Sequence, residues 1–313
     1  MSGIKIGVVG AGMVGASFAY SLMQKGLASE MVLIDANHSR AVGEAMDLNH
    51  GLAFVKPVKI YAGKYADLAG ADVTVITAGA AQKPGETRLQ LLEKNAGILS
   101  SIIPEVVKAN PEGIIVLASN PVDILTYLTH QMSGLPANKI IGSGTTLDTA
   151  RLRYFLGDRY GVDPRSVHAY ILGEHGDSEF AWWSGAMIAG IPLKEFVSAL
   201  GVGFDQAALD QIFENTKNAA YEIIEKKMAT YYAIGLGLLD LVETIVRDQH
   251  TVLPVSSMMT GQFGVKDICV SLPTIVGAKG IEKVLDIKLT SDEQALFKKS
   301  ADTLKERVAE IKK

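Results

Sequence analysis

Apolar residues in the first half of the chain gather in short, nearly unbroken runs. KIGVVGA (5–11), EMVLIDA (30–36), ADVTVITAG (71–79) and GIIVLASNP (113–121) are almost wholly apolar, as strands covered on both faces should be. A shorter run, VKIYAG (58–63), predicts a further strand. Between them, MVGASFAYSLMQKG (13–26), SRAVGEAMDLNHG (39–51) and TRLQLLEKNAGILSSIIPEVVKAN (87–110) repeat their apolar positions with helical spacing. Strands alternating with helices predict right-handed crossovers and a doubly wound parallel sheet.

The pattern changes after about Gly142. TLDTARLRYFLGDRYGV (146–162) reads as a helix and SVHAYILGEH (166–175) as one strand. Residues 204–227 predict a long helix and residues 233–248 an apolar one. HTVLPVSSMMTG (250–261) and DICVSLPTIVG (267–277) read as strands. A closing helix starts at a capping box of Ser291 and Gln294, with Phe297, Ala301, Leu304, Val308 and Ile311 on one face. The expected architecture is α/β: a Rossmann doubly wound domain over residues 1–142, fused to an α+β catalytic domain over residues 143–313. A cleft is expected between them.

Composition narrows the functions. The 313 residues carry 30 Lys and Arg against 34 Asp and Glu, so no excess of basic charge invites a nucleic acid. No apolar run reaches the roughly 18 residues of a membrane span, and the N-terminus lacks a signal-peptide pattern. A cytoplasmic location is the resulting expectation. The one cysteine, Cys269, excludes an intrachain disulfide and reads as a small core residue. The six histidines show no close ligand spacing, so no metal site is implied.

The segment GAGMVG places Gly10, Gly12 and Gly15 between a predicted strand and helix, with Met13 and Val14 opening the helix. Asp35 closes the next strand, 20 residues after Gly15. That context reads as a dinucleotide fingerprint. Gly10 permits a tight turn, Gly12 a close approach of pyrophosphate, and Gly15 close helix packing. Asp35 suits free ribose hydroxyls and would repel a 2′-phosphate, so the expected cofactor is NAD.

Asp148 and Arg151 stand three apart on one helix, and GEHGDS places His175 between two glycines and two acids. An imidazolium is a proton donor near neutral pH, and a carboxylate such as Asp148 would orient and charge it. A guanidinium such as Arg151 can clamp a carboxylate bidentately. Arg88 follows a Gly/Pro-rich loop, GAAQKPGETR, at the end of a parallel strand, where it could polarise a carbonyl under a closing lid. The set suits hydride transfer at a 2-oxo acid. A silent NAD-binding sensor is the other class; it needs none of these four residues, and NADH consumption with pyruvate separates the two.

These segments, with ITAGAAQKPGETRLQLLEKN, ASNPVDILTY, GSGTTLDTARLRYFLG, HAYILGEHGDSEF and LPTIVG, resemble the L-lactate dehydrogenases of the lactate/malate dehydrogenase family almost end to end. The resemblance implies reversible reduction of pyruvate to L-lactate with NADH. It makes His175 the acid/base group, Asp148 its partner, Arg151 the carboxylate clamp and Arg88 the lid arginine. It adds Asn120 as a contact to substrate and nicotinamide, and Thr230 as a pocket wall. Gln82 matches the lid glutamine of the lactate enzymes, where malate enzymes carry arginine. Ala81 departs from the asparagine usual there and leaves room for longer 2-oxo acids. The resemblance further implies a homotetramer. Arg153 points away from the Asp148–Arg151 face. Together with His168 it matches the site at which bacterial members bind fructose 1,6-bisphosphate as an activator.

Overall fold

The computed structural model describes residues 3–80, 85 and 87–311, the Arg88 side chain excepted. The first half runs β1 (Lys5–Val9), α1 (Met13–Lys25), β2 (Glu30–Ile34), α2 (His38–His50), β3 (Lys59–Ala62), β4 (Val73–Ile76), α3 (Arg88–Ala109), β5 (Ile114–Leu117), α4 (Val122–Ser133) and β6 (Ile140–Gly142). The six strands are parallel, in the order β3-β2-β1-β4-β5-β6. The order reverses between β1 and β4, and the loops leaving those two strands frame the crevice that binds ligands in such sheets. Gly/Pro-rich chain after β4 leads to α3, whose first turn is closed by Thr87 and Gln90. The Thr87 hydroxyl accepts from the Gln90 N–H at 3.2 Å and the Gln90 amide oxygen accepts from the Thr87 N–H at 2.9 Å.

The second half runs α5 (Thr146–Tyr160), β7 (Val167–His168), β8 (Ile171–Leu172), β9 (Phe180–Ala181), β10 (Met187–Ile188), β11 (Ile191–Pro192), α6 (Leu193–Ala199), α7 (Gln206–Lys227), α8 (Tyr232–Val246), β12 (Thr251–Leu253), β13 (Ser256–Thr260), β14 (Lys266–Ser271), β15 (Thr274–Gly277), β16 (Gly280–Val284) and α9 (Ser291–Ile311). Three expectations change here. Residues 166–175 are not one strand: β7 pairs with β10 and β8 with β9, in separate small sheets. Between them the Ala169 carbonyl accepts from Arg153 Nε and the Tyr170 carbonyl from the Trp182 N–H. Residues 250–261 and 267–277 each divide at a proline, Pro254 and Pro273, which has no N–H for a ladder. One half of each run, β13 and β14, extends the parallel sheet antiparallel from β6. The other halves, β12 and β15, join β16 in a sheet of their own. Finally, the capping box of α9 is Thr290 with Glu293, one residue earlier than the pattern suggests. The Gln294 amide instead donates to the Leu289 carbonyl.

Alternation along the parallel strands sends side chains to two cores. Ile6, Val8, Val73, Val75 and Val116 pack with α1, α2 and α8. Val9, Ile76, Ile115 and Leu117 pack with α3, α4 and α9. Phe297, Ala301, Leu304 and Val308 of α9 are buried in that second core, as the periodicity predicts, and Ile311 packs at its margin. Cys269 is fully buried in the same core. A chain segment from the second half therefore covers one face of the first half's sheet, and the loop after β8 is tied to α9 through Ser300 and to the start of α4 through Asp123. No described helix is long and apolar enough to cross a membrane.

Candidate active site

The turn after β1 is built by its glycines. Gly10 has φ +102°, and an added Cβ would stand 2.5 Å from the Ala78 nitrogen. Gly15 allows no Cβ either, since the Gly10 carbonyl oxygen would be 1.9 Å away. Gly12 differs, with nothing within 4 Å of a Cβ there. It is the N-cap of α1 and caps with no side chain, so the N–H groups of that first turn, including those of Met13 and Val14, are left for a ligand. Asp35 ends the neighbouring strand and accepts from the N–H of Ala11 at 2.8 Å and of Asn37 at 2.8 Å. An open cradle at a helix N-terminus, with a carboxylate at the adjacent strand end, fits the pyrophosphate and ribose of NAD. Two substitutions should separate cradle from packing. Gly12→Val should change stability by less than about 1 kcal/mol while weakening NADH binding by about tenfold or more. Gly15→Ala should lower stability by about 2 kcal/mol or more through overpacking. Thermal melts and NADH fluorescence titrations read the two effects.

A cavity of about 250 Å³ is lined by Asn120 after β5 and by Asp148, Arg151, His175 and Glu179 among others. Asp148 is buried in the first turn of α5 and uses both oxygens. Oδ2 meets His175 Nδ1 at 2.5 Å, and Oδ1 accepts from Arg151 Nη1 at 2.9 Å. Burial disfavours the Asp148 charge, but His175 and Arg151 outweigh it and hold its pKa below the ordinary carboxylate value. Burial likewise opposes imidazolium at His175, yet Asp148 prevails and raises that pKa to about 9. With Nδ1 engaged, Nε2 is the ring atom free to exchange a proton.

The loop carrying His175 is held from below by groups the sequence reading did not assign. Asp123 of α4, buried, accepts from the His175 N–H at 2.7 Å and from the Ser256 hydroxyl at 2.5 Å. Burial raises its pKa to about 6 against those two bonds. Glu174 accepts from the Ser178 hydroxyl at 2.5 Å and pairs with Arg307 of α9 at 3.2 Å, while its N–H donates to the Ser300 hydroxyl at 2.6 Å. Asn95 of α3, also buried, ties two strand-end loops together: its Oδ1 accepts from the Ala80 N–H at 2.8 Å and its Nδ2 donates to the Asn120 carbonyl at 2.7 Å. Asn120 itself lines the cavity and precedes Pro121 through a cis bond. A polar residue on an otherwise apolar helical face was the only sign of Asn95 in the sequence.

The remaining candidates fall elsewhere. Arg88 is the first residue of α3, and its side chain lies outside the described residues, as do Gln82 and Ala81. Thr230 is half-buried in the bend between α7 and α8 and is not among the described residues lining the cavity. Arg153 lines a different cavity, where its guanidinium lies 4.8 Å over the Tyr170 ring. His168 is exposed at the end of β7.

Models of the lactate/malate dehydrogenase family match residues 4–142, as its NAD binding domain, and residues 145–313, as its alpha/beta C-terminal domain. The chain belongs to the lactate/malate dehydrogenase family. Within that family it is 54% identical to an L-lactate dehydrogenase of Acetivibrio thermocellus, over 96% of this chain and 95% of that one. It is 51% identical to L-lactate dehydrogenase 1 of Clostridium acetobutylicum, over 98% of each. Its fold superposes on the crystal structure of a minor L-lactate dehydrogenase from Enterococcus mundtii in a ligands-bound form, with a TM-score of 0.96 and 45% identity over 99% of this chain and 98% of that one. The cofactor of this family member is NAD, and the glycine turn, α1 and Asp35 supply a cradle that fits it.

Proposed function

We propose that this protein is an L-lactate dehydrogenase that reduces pyruvate to L-lactate and runs the reverse reaction. The observation that carries the reading is Asp148, whose two oxygens fix a histidine and an arginine side by side in one cavity that Asn120, at the end of β5, also lines. NAD, when bound as NADH, supplies the hydride. His175 donates the Nε2 proton to the ketone oxygen, and Asp148 holds the ring in position and stabilises its charged form. Arg151 keeps one edge of its guanidinium on Asp148 and offers the other to the substrate carboxylate. Arg88 polarises the carbonyl, Asn120 orients it, and the lid residue Gln82 completes the pocket, with Thr230 set back from its described lining in the bend between α7 and α8. The division of labour between residues 1–142 and 143–313 follows from the same reading: the first part holds cofactor and lends Gln82, Arg88 and Asn120 to the substrate, and the second is the catalytic part that carries Asp148, Arg151 and His175.

Pyruvate rather than oxaloacetate is the substrate in this reading because one guanidinium neutralises one carboxylate, and Gln82 adds no second cation. The names of the similar enzymes support the same choice. Loss of NADH absorbance with pyruvate, oxaloacetate and 2-oxoisocaproate tests it. Pyruvate is expected to give the highest kcat/KM. Equal turnover of oxaloacetate would remove the lactate assignment.

The same reading makes the protein a cytoplasmic homotetramer activated by fructose 1,6-bisphosphate. Its support is the placement of Arg153 away from the catalytic cavity and of His168 at an exposed strand end. Opposed cations from paired subunits would repel one another until a bisphosphate sits between them, so the ligand favours the assembled form. Fructose 1,6-bisphosphate is expected to lower the pyruvate KM of the wild type severalfold. An Arg153→Gln, His168→Gln double variant should lose the response. Identical responses in both proteins would remove the site.

A further inference from the structure

Glu179 is the last residue of the His175 loop before β9, and its side chain turns inward into the catalytic cavity. It is 7% exposed, and its Oε1 is buried with no hydrogen-bond partner. One of its carboxylate oxygens, a His175 ring nitrogen and an Asp148 oxygen lie within 4.8 Å of one another. A buried carboxyl so close to an ionised carboxylate, with an unsatisfied oxygen, favours its neutral form. Burial and Asp148 push its pKa well above the carboxylate range, against the pull of His175, of Arg151 on α5 and of Lys217 on α7. The other titratable groups on the described cavity wall are Glu174 and Asp177 of the same loop, Tyr221 of α7 and Arg307 of α9.

The charge count of the site gives this acid a consequence. Among the described residues, Asp148, Arg151 and protonated His175 carry one net positive charge, which matches one monoanionic 2-oxo acid; Lys217 and Arg307 on the same wall are offset by Glu174 and Asp177. If Glu179 ionises, that positive charge is cancelled, and an arriving carboxylate becomes a third anion beside Arg151, after Asp148 and Glu179, in a confined space. We propose that Glu179 is a proton-linked gate on substrate affinity: the 2-oxo acid anion binds the form of the enzyme in which the Glu179 carboxyl keeps its proton. The gate rests on the reading of this cavity as a 2-oxo acid site. It assigns Glu179 to substrate affinity, whereas His175 acts in the proton transfer itself.

The test is the affinity of the full-length enzyme–NADH complex for oxamate, the unreactive amide isostere of pyruvate, between pH 6 and 9, in the wild type and in Glu179→Gln. Glutamine has the shape of the protonated acid and cannot ionise. Wild-type Kd is expected to rise with pH, approaching about tenfold per unit beyond the Glu179 titration, as linkage to one proton requires. Glu179→Gln should keep its low-pH affinity beyond the pH at which the wild type loses it, and weaken where His175 loses its proton, earlier than the wild-type His175 titration because Glu179 helps to hold that imidazolium. NADH affinity should follow no such trend in either protein. Superimposable oxamate profiles would overturn the gate. A measurement on the wild type alone guards against a misfolded variant: oxamate titrations in buffers of different ionisation heats should show proton uptake on binding at pH values below the His175 titration as well as through it. Uptake confined to the His175 titration would likewise overturn the gate. Pyruvate turnover, assayed in parallel, tests the underlying reading separately. Oxamate binding without pyruvate reduction would count against the dehydrogenase assignment and leave the linkage result standing.

Discussion

His175→Ala is expected to lower kcat for pyruvate reduction by about 10³-fold or more, the scale of a lost general acid. NADH binding should stay close to wild type, since the cradle at Gly10, Gly12 and Asp35 lies on other elements. Asp148→Asn should act through the same atom by a different route. The main carboxylate that raises the His175 pKa to about 9 would be gone, leaving burial to push the imidazole pKa down against the smaller pull of Glu179 and Asp123. The sign follows directly. A histidine whose pKa is raised donates its proton at neutral pH and stops doing so as pH rises through that raised value. Wild-type kcat/KM for pyruvate should therefore fall on the alkaline side, and Asp148→Asn should move the fall to lower pH as well as reduce the plateau. Pre-steady-state rates of NADH oxidation across pH measure both effects. Unimpaired reduction by His175→Ala would remove the proton donor from the proposed mechanism.

The second large effect is expected at Gln82, through charge. Oxaloacetate brings two carboxylates, and in the proposed site Arg151 answers one. In a closed site the other would be desolvated without a partner, a cost of about 3–5 kcal/mol when one member of a buried ion pair is missing. Gln82→Arg supplies that partner and leaves a buried cation unpaired when pyruvate binds. The ratio of kcat/KM for oxaloacetate over pyruvate is expected to rise by about 10²-fold or more. Steady-state kinetics with both substrates measures the ratio. A ratio that stays put would mean that another group meets the second carboxylate.

Much of the fold was legible in local pattern. The Gly10–Gly12–Gly15 turn could be assigned from spacing because its demands are local: a positive φ at Gly10 and no room for a Cβ at Gly15. The strands β1, β2, β4 and β5 declared themselves because a strand buried on both faces needs an almost unbroken apolar run. Asp148 and Arg151 could be placed on one turn of helix because helix geometry brings residues three apart together. The runs after residue 166 were harder. A proline, or a carbonyl claimed by a distant donor such as Arg153 Nε, decides where such a run breaks, and strand periodicity does not register either.

What the sequence by itself determined is therefore whatever depends on neighbours within a turn or two: the alternating elements, the glycine cradle, the Asp148–Arg151 pair and the family motifs. The tertiary structure alone decided what depends on residues far apart in the chain. It brought Asp148 to His175 across 27 positions and Asp123 to the His175 backbone across 52. It placed β13 and β14 beside β6, and seated α9 under the His175 loop through Ser300 and Arg307. It also left Glu179, by sequence an ordinary acid in a polar loop, buried with an unpaired oxygen. The physical reason is common to all of these. Hydrophobic periodicity reports which side of an element faces a core, but a carboxylate's charge and partners are set by the desolvation and distant groups that packing brings to it.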